Sequence, residues 1–351
     1  MKHAILFLLS ILICFGSDTT LNSTPKKKDA FNLSEILSII DSDEGFYERA
    51  FAAISPDGKI VVADAGNKQI HIYSEAGKKI RSFGQEGSGP GEFRQIFNIG
   101  ALSDAVVIRD EIKLSFFSYE GRFTKDISLV ASGSVGSPVF LKNSVLVYYE
   151  SGKHVYQVFN EKGEELKAVL RKGYKETGDN GRMMIKIGMR RPIPFKNGFV
   201  MEDKSLYKIT HYNKDLEEQE TISRHFTRVE RDLEALEKKI NIDIENNMSK
   251  SERGKMIAKI RQDIINRMGK YETDIQGILG EIEDCLVVST ATGKENVLSL
   301  DIIKDNQLYT QKTLEFEDHI QQSRIDNGTL ILSFKNEEKG PYIKLFKISV
   351  L

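Results

Sequence analysis

The sequence predicts an all-β chain: a six-bladed β-propeller of four-stranded antiparallel blades, with an α-helical insertion between blades four and five. Three observations carry this reading: a globular composition, a turn-and-strand grammar that recurs about every 40 to 55 residues, and one interruption of that grammar by residues at helical spacing. The 351 residues are 40% hydrophobic and 29% charged, far from the composition of disordered chains. Fifty basic side chains balance fifty-one acidic ones to a formal net charge of −1, so nucleic acid is not expected as a partner. Two cysteines exclude a disulfide scaffold and a cysteine-built zinc cluster.

Residues 1–16 read as an export signal. Met1, Lys2 and His3 make a short basic start, and Ala4 to Phe15 is an apolar run too short for a membrane-spanning helix, which needs about 20 residues. Two processing routes stay open. Cys14 closes the apolar run as a lipidated cysteine would, although Ile13 replaces the usual small residue before it; the other route is signal-peptidase cleavage after Gly16. Residues 17–30, with Lys26, Lys27 and Lys28, read as a polar tether. Cys285 sits in the apolar run Cys285-Leu286-Val287-Val288, the setting of a buried, inert thiol.

The propeller is expected to fill 31–351. Residues 55–84 parse into turn, strand, turn, strand, turn, strand, each turn carrying Gly with Asp, Asn or Pro and each strand rich in β-branched and aromatic residues. The pattern returns from Asp104 to Gly121, Asn143 to Gly163, Asn197 to Asp215, Glu283 to Asp301 and Asp326 to Ile348. With the insertion set aside, six copies of roughly 42 residues match the size of a four-stranded blade. The last copy ends at Leu351 after three strands, so the segment 31–40 is expected to pair beside Tyr342 to Val350 and close the ring, covering an exposed edge.

The insertion is read over 224–275. Phe226, Val229, Leu233, Leu236, Ile240 and Ile244 recur at separations of three or four, and Met256, Ile257, Ile260, Ile264, Ile265 and Met268 repeat the pattern beneath a basic face. Both read as amphipathic helices.

Asp57-Gly58-Lys59-Ile60-Val61-Val62-Ala63-Asp64, then Asn67-Lys68-Gln69-Ile70, Tyr73, Gly77 and Phe83-Gly84-Gln85-Glu86-Gly87-Ser88-Gly89-Pro90-Gly91-Glu92-Phe93 resemble an NHL repeat of the kind found in exported bacterial six-bladed propellers. The resemblance is specific over blade one and loose elsewhere. It implies a fold rather than an activity, because such propellers include binding scaffolds, lyases and lactone hydrolases.

The chemistry-bearing residues point to no catalytic set. Gly87 to Gly91 lacks the strand-then-helix context of a phosphate loop, with Pro90 inside it and strand-like sequence after Gln95, and reads as an inter-blade turn. His71, His154 and His211 fall at non-equivalent places, and no Gly-x-Ser-x-Gly elbow occurs. Glu48, Glu202, Asp203 and Asp284, the carboxylates a lactone-hydrolase-like metal site would draw on, read as blade-edge turn residues. No cofactor or metal is expected. The three longest irregular segments, Gly84 to Arg94, Arg171 to Pro194 and Arg224 to Ile275, all join an outer strand to the next inner strand, which puts them on one face. The expected function is non-catalytic binding of an envelope protein or small ligand through that face, with Arg182, Arg190 and Arg191 contributing if the ligand is anionic. The membrane is expected to take part only through an N-terminal lipid anchor. The alternative is a channel-mouth enzyme, a lyase or metal-dependent lactone hydrolase.

Overall fold

The computed structural model describes residues 17–28, 30–40, 45–129, 135–149, 152–171, 192–203, 206–215, 217–234, 238 and 269–351. The chain begins with β1 (Ser17–Leu21) and β2 (Phe31–Ile39) and then lays down six antiparallel blades in sequence order. Blade one is β3 (Ala50–Ile54), β4 (Ile60–Asp64), β5 (Gln69–Tyr73) and β6 (Lys79–Phe83). Blade two is β7 (Ile96–Ala101), β8 (Val106–Asp110), β9 (Lys113–Phe117) and β10 (Phe123–Ser128); blade three is β11 (Val139–Phe140), β12 (Ser144–Tyr148), β13 (His154–Asn160) and β14 (Glu165–Leu170). Blade four is β15 (Ile193–Phe195), β16 (Gly198–Glu202), β17 (Lys208–Tyr212) and β18 (Glu218–Arg224). Blade five is β19 (Ile275–Ile282), β20 (Cys285–Thr290), β21 (Val297–Lys304) and β22 (Gln307–Glu315), and blade six is β23 (His319–Asp326), β24 (Thr329–Asn336) and β25 (Gly340–Val350) with β2 as its outer strand.

The apolar side chains gather in clusters between neighbouring blades. Side chains alternate across a strand, so a middle strand of a blade feeds two junctions. In β4, Val61 and Ala63 face blade two while Ile60 and Val62 face blade six; in β20, Cys285 and Val287 face blade six while Leu286 and Val288 face blade four. That is why β4, β9 and β20 are buried along their whole length, and why Ile60-Val61-Val62-Ala63 and Cys285-Leu286-Val287-Val288 read as unbroken apolar runs. The outer strands β6, β10 and β14 are mostly exposed. The junction between blades three and four has the smallest buried cluster, Val139, Leu146 and Tyr156, with half-buried Leu141, Val158 and Phe199 against it. The short inner strands β11 and β15 supply little to fill it.

Strand β2 pairs antiparallel with β25 from Phe31 opposite Val350 to Ile39 opposite Ile343. A bulge between Glu35 and Leu37 inverts the alternation halfway. Phe31 and Leu33 therefore pack between blades five and six, whereas Leu37 and Ile39 pack between blades six and one, and the bulged Ile36 is left 55% exposed. One strand thus seals both sides of the last blade.

Residues 17–30 are not a free tether. Strand β1 lies parallel to β18 as a fifth strand of blade four, Ser17 opposite Glu220 and Leu21 opposite Arg224. Its Leu21 side chain is buried between blades four and five. The amides of Lys26 and Lys27 donate to the carbonyls of Leu308 and Tyr309 at the edge of blade five, 3.0 and 2.8 Å away. The segment straps the rims of blades four to six, satisfying edge groups that would otherwise face water.

Every named element among the described residues is a strand. The helical body expected within 224–275 lies, apart from its ends, outside the described residues. What is described is its stem: Glu230 and Tyr271 form an antiparallel bridge, the Arg231 amide donates to the Lys270 carbonyl and the Glu272 amide to the Val229 carbonyl, both at 2.9 Å.

Candidate functional site

The outer-to-inner connections and the turns between the second and third strands of each blade share one face. Two devices hold the chain there. Asp64, at the end of β4, accepts hydrogen bonds from the amides of Tyr47 and Asn67, each 3.1 Å away; Asp110, at the end of β8, accepts from the amides of Gln95 and Glu111 at 2.8 and 2.7 Å. Both carboxylates are buried and tie the incoming connection to the turn beside it. The glycine-rich connection before β7 is closed on itself. Glu92 accepts from the Gly89 amide at 2.8 Å and from Gln85 Nε2 at 2.7 Å, and the Gly89 bond, followed by that of Gln85, holds its carboxyl below the usual carboxylate range. An internal carboxylate thus takes the amide that a bound phosphate would need.

The main cavity of this face, about 730 Å³, lies at the channel mouth over blades four to six. Its walls come from the starts of β19 and β23, the turn 291–295 after β20, the end of β16 at Glu202, and the insertion stem at Arg231, Asp232 and Glu272. The Ile320 amide donates to the Glu295 carbonyl at 2.9 Å and His319 Nδ1 stands 3.2 Å from Glu295 Oε2, binding the turn to blade six. The stem is held by Arg228, which pairs with Asp274 at 3.1 Å and stacks 4.7 Å above the Tyr271 ring; the other Asp274 oxygen accepts from the Tyr207 amide at 2.9 Å. Arg231 donates to the Tyr271 carbonyl at 3.1 Å. Gln276, Gln321, Gln322, Ser289, Thr290 and Ser323 make the remaining lining rich in amides and hydroxyls.

Arg324, which follows the cavity-lining Ser323, spans the channel and lines a second, smaller cavity beyond it. Its guanidinium reaches from blade six past blade one to donate to the Ile99 carbonyl of blade two at 2.9 Å, and it also donates to Asp326 at 3.1 Å, whose carboxylate takes the Ile54 amide at 3.0 Å. The side chain is 8% exposed. Two close approaches narrow the channel further: a Cβ on Gly100 would meet the Phe140 ring at 2.1 Å, and one on Gly280 would meet Ile325 at 3.0 Å. Below Arg324 a smaller cavity of about 240 Å³ opens to the opposite face, and Ile193 and Leu279 line both spaces.

The residues singled out from sequence divide accordingly. Glu202 lines the mouth cavity; Glu48 lies on the same face, its carbonyl accepting from Gln321 Nε2 at 3.2 Å; Asp203 follows Glu202, and Asp284 lies in the β19–β20 turn on the opposite face. They do not converge, and among the described residues no three His, Cys, Asp or Glu side chains are placed to hold a metal. His71 is buried with Nδ1 2.8 Å from Ser82 Oγ, His154 packs on Tyr149, and His211 packs on Phe195. Cys285 is buried, and burial pushes its thiol up. Arg182, Arg190, Arg191 and Cys14 lie outside the described residues. The mouth residues Arg231, His319, Gln321 and Gln322, and the channel-spanning Arg324, were not anticipated; the one hint is a polar run, Gln321-Gln322-Ser323-Arg324, in an innermost strand where apolar residues are expected.

Residues 54–167 match a family model described as a 6-bladed beta-propeller, a span running from the end of β3 into β14. No curated protein matches the chain. Among solved structures, a Bacteroides fragilis protein described as exported superposes with a TM-score of 0.53 at 14% identity, covering 95% of this chain and 99% of that one. A Bacteroides vulgatus protein of the duf4221 family gives 0.48 at 11% identity, with 93% and 100% covered, and the Neurospora crassa Pan2 WD40 domain gives 0.47 at 7%, with 90% and 94% covered. The chain is a six-bladed, all-β propeller similar to an exported bacterial protein.

Proposed function

We propose that the protein is an exported propeller of the bacterial cell envelope that binds a partner or ligand, without catalysis, through the face bearing the inter-blade connections, with the channel-mouth cup at its centre. The observation that carries this reading is the cup itself: about 730 Å³ and lined by amides, hydroxyls and charges of both signs, a volume within the range of ligand sites. Residues 1–16 and the likeness to an exported Bacteroides protein support the location, with Cys14 as the acylated residue if the lipid route is used. The NHL-type signature of blade one belongs to the same reading. Arg182, Arg190 and Arg191, which fall between β14 and β15 in the sequence, are kept in this reading as contributors if the ligand is anionic. A metal-dependent lactone hydrolase would draw on three or more metal-ligating side chains together at the mouth, and among the described residues no such group occurs.

The test is capture from solubilised native envelope. Gln322→Trp, which narrows the cup, and the triple change of Arg182, Arg190 and Arg191 to Ala should each lower recovery of the partner, while Lys162→Ala on the opposite face leaves it unchanged. A thermal melt of each variant separates loss of capture from loss of fold. Equal recovery by both mouth-face variants and the unaltered chain would overturn the reading.

A further inference from the structure

On the opposite face, the thinly packed junction between blades three and four leaves a groove of about 300 Å³ lined by Leu141, Leu146, Tyr156, Val158, Pro194 and Phe199. Its rim carries three lysines from three turns and strands: Lys167 on β14, Lys196 in the β15–β16 turn and Lys214 in the β17–β18 turn. We propose that this groove binds a single-chain carboxylate amphiphile, its hydrocarbon tail on the apolar floor and its head group against the lysines.

The charge pattern argues for an anion. Lys167 is paired with Asp215 at 2.7 Å, and that pairing raises its ammonium pKa to about 12. Lys196 lies 5.3 Å from the Phe195 ring centre, and neither it nor Lys214 has a carboxylate partner among the described residues. The nearby acids are otherwise engaged: Glu217 accepts from Asn213 Nδ2 at 2.9 Å, Glu165 accepts from Gln157 Nε2, and Glu281 accepts from the Lys196 amide at 3.0 Å. Two free ammonium groups therefore overhang an apolar slot, and their carbon stems extend its wall. The volume is at the small end of the ligand-site range, which suits one medium-length acyl chain and excludes a folded partner. The groove exists because β11 and β15 are the shortest inner strands and leave Leu141, Val158 and Phe199 half-covered.

Titration calorimetry of the full chain with decanoate should give saturable one-to-one binding, and decanol, the uncharged analogue, should bind about tenfold more weakly. The double variant Lys196→Asn with Lys214→Gln should lose about tenfold for decanoate and little for decanol, two exposed ion pairs' worth; Asn is chosen because residue 196 has a φ of 50°. Gln322→Trp at the mouth should leave decanoate binding unchanged, which keeps this result separate from the fate of the cup. No binding of decanoate, equal binding of decanol, or a double variant indistinguishable from the unaltered chain would each overturn the proposal. So would binding to phosphatidylglycerol vesicles with no affinity for free decanoate, since that assigns the lysines to a membrane surface.

Discussion

Asp64 and Asp110 hold the same place in consecutive blades and do the same work, a carboxylate at the end of the second strand fastening both its own turn and the connection that enters the blade. Their role was half visible in sequence: the Asp64 to Asn67 spacing marked a turn, but the reach to Tyr47 needed the fold. Glu92 is a similar clasp with a pH signature. Its folded carboxyl is held low by the Gly89 amide, so its stabilisation is present above the unfolded value and is lost as pH falls through the folded one. Glu92→Gln should therefore lower the melting temperature at neutral pH, with the gap to the unaltered chain closing between about pH 5 and pH 3; a gap independent of pH contradicts the clasp. Arg324 was invisible to periodicity, because no pattern of strands says which carbonyl lies across an axis. Replacing it with Met strands Asp326 and the Ile99 carbonyl, and should cost about 2–4 kcal/mol in denaturant unfolding. A loss under about 0.5 kcal/mol would show that Arg324 is not held by these bonds.

At the scale of elements, middle strands such as β4 and β20 were readable because burial on two faces gives them runs of consecutive apolar residues, and the turns because Asp-Gly and Asn-Gly fix their backbone. The rim was less so. Residues 31–40 were identifiable as a strand from the missing partner of β25, yet the bulge at Ile36 leaves no mark in an apolar pattern that already contains Ile36 and Leu37 side by side. Residues 17–30 looked polar and were read as a tether, because a strand that covers an edge with one buried side chain, Leu21, has almost no hydrophobic pattern to show. The two rim strands should differ in weight. Deleting 31–40 uncovers two apolar junctions and should lower the melting temperature by several degrees, as a few kcal/mol would, with aggregation through the bared β25. Removing only 17–21 uncovers one leucine and should cost less, with no aggregation. If the two deletions are equal in scanning calorimetry, β2 is not the closing strand.

For the molecule as a whole, closure sets the geometry of the channel mouth. Pairing β2 with β25 sets blade six beside blade one, which brings Arg324 within reach of Ile99 and frames the channel mouth with the inter-blade connections. Fold class was evident from a repeat of blade size; the cup was not, since its walls come from four stretches far apart in sequence. Closure in the stated register is open to direct measurement through a disulfide. Ser34 on β2 stands opposite Lys347 on β25, both exposed, and the pair Ser34→Cys with Lys347→Cys should cross-link in high yield under mild oxidation and raise the melting temperature, since the bond closes a loop that spans nearly the whole chain. Peptide mass mapping should find the 34–347 link within one molecule, while Ser34→Cys with Lys335→Cys, a pair not matched across β2 and β25, forms none. A ring open at this seam or paired in another register would give the reverse: free thiols at 34 and 347, or links between molecules.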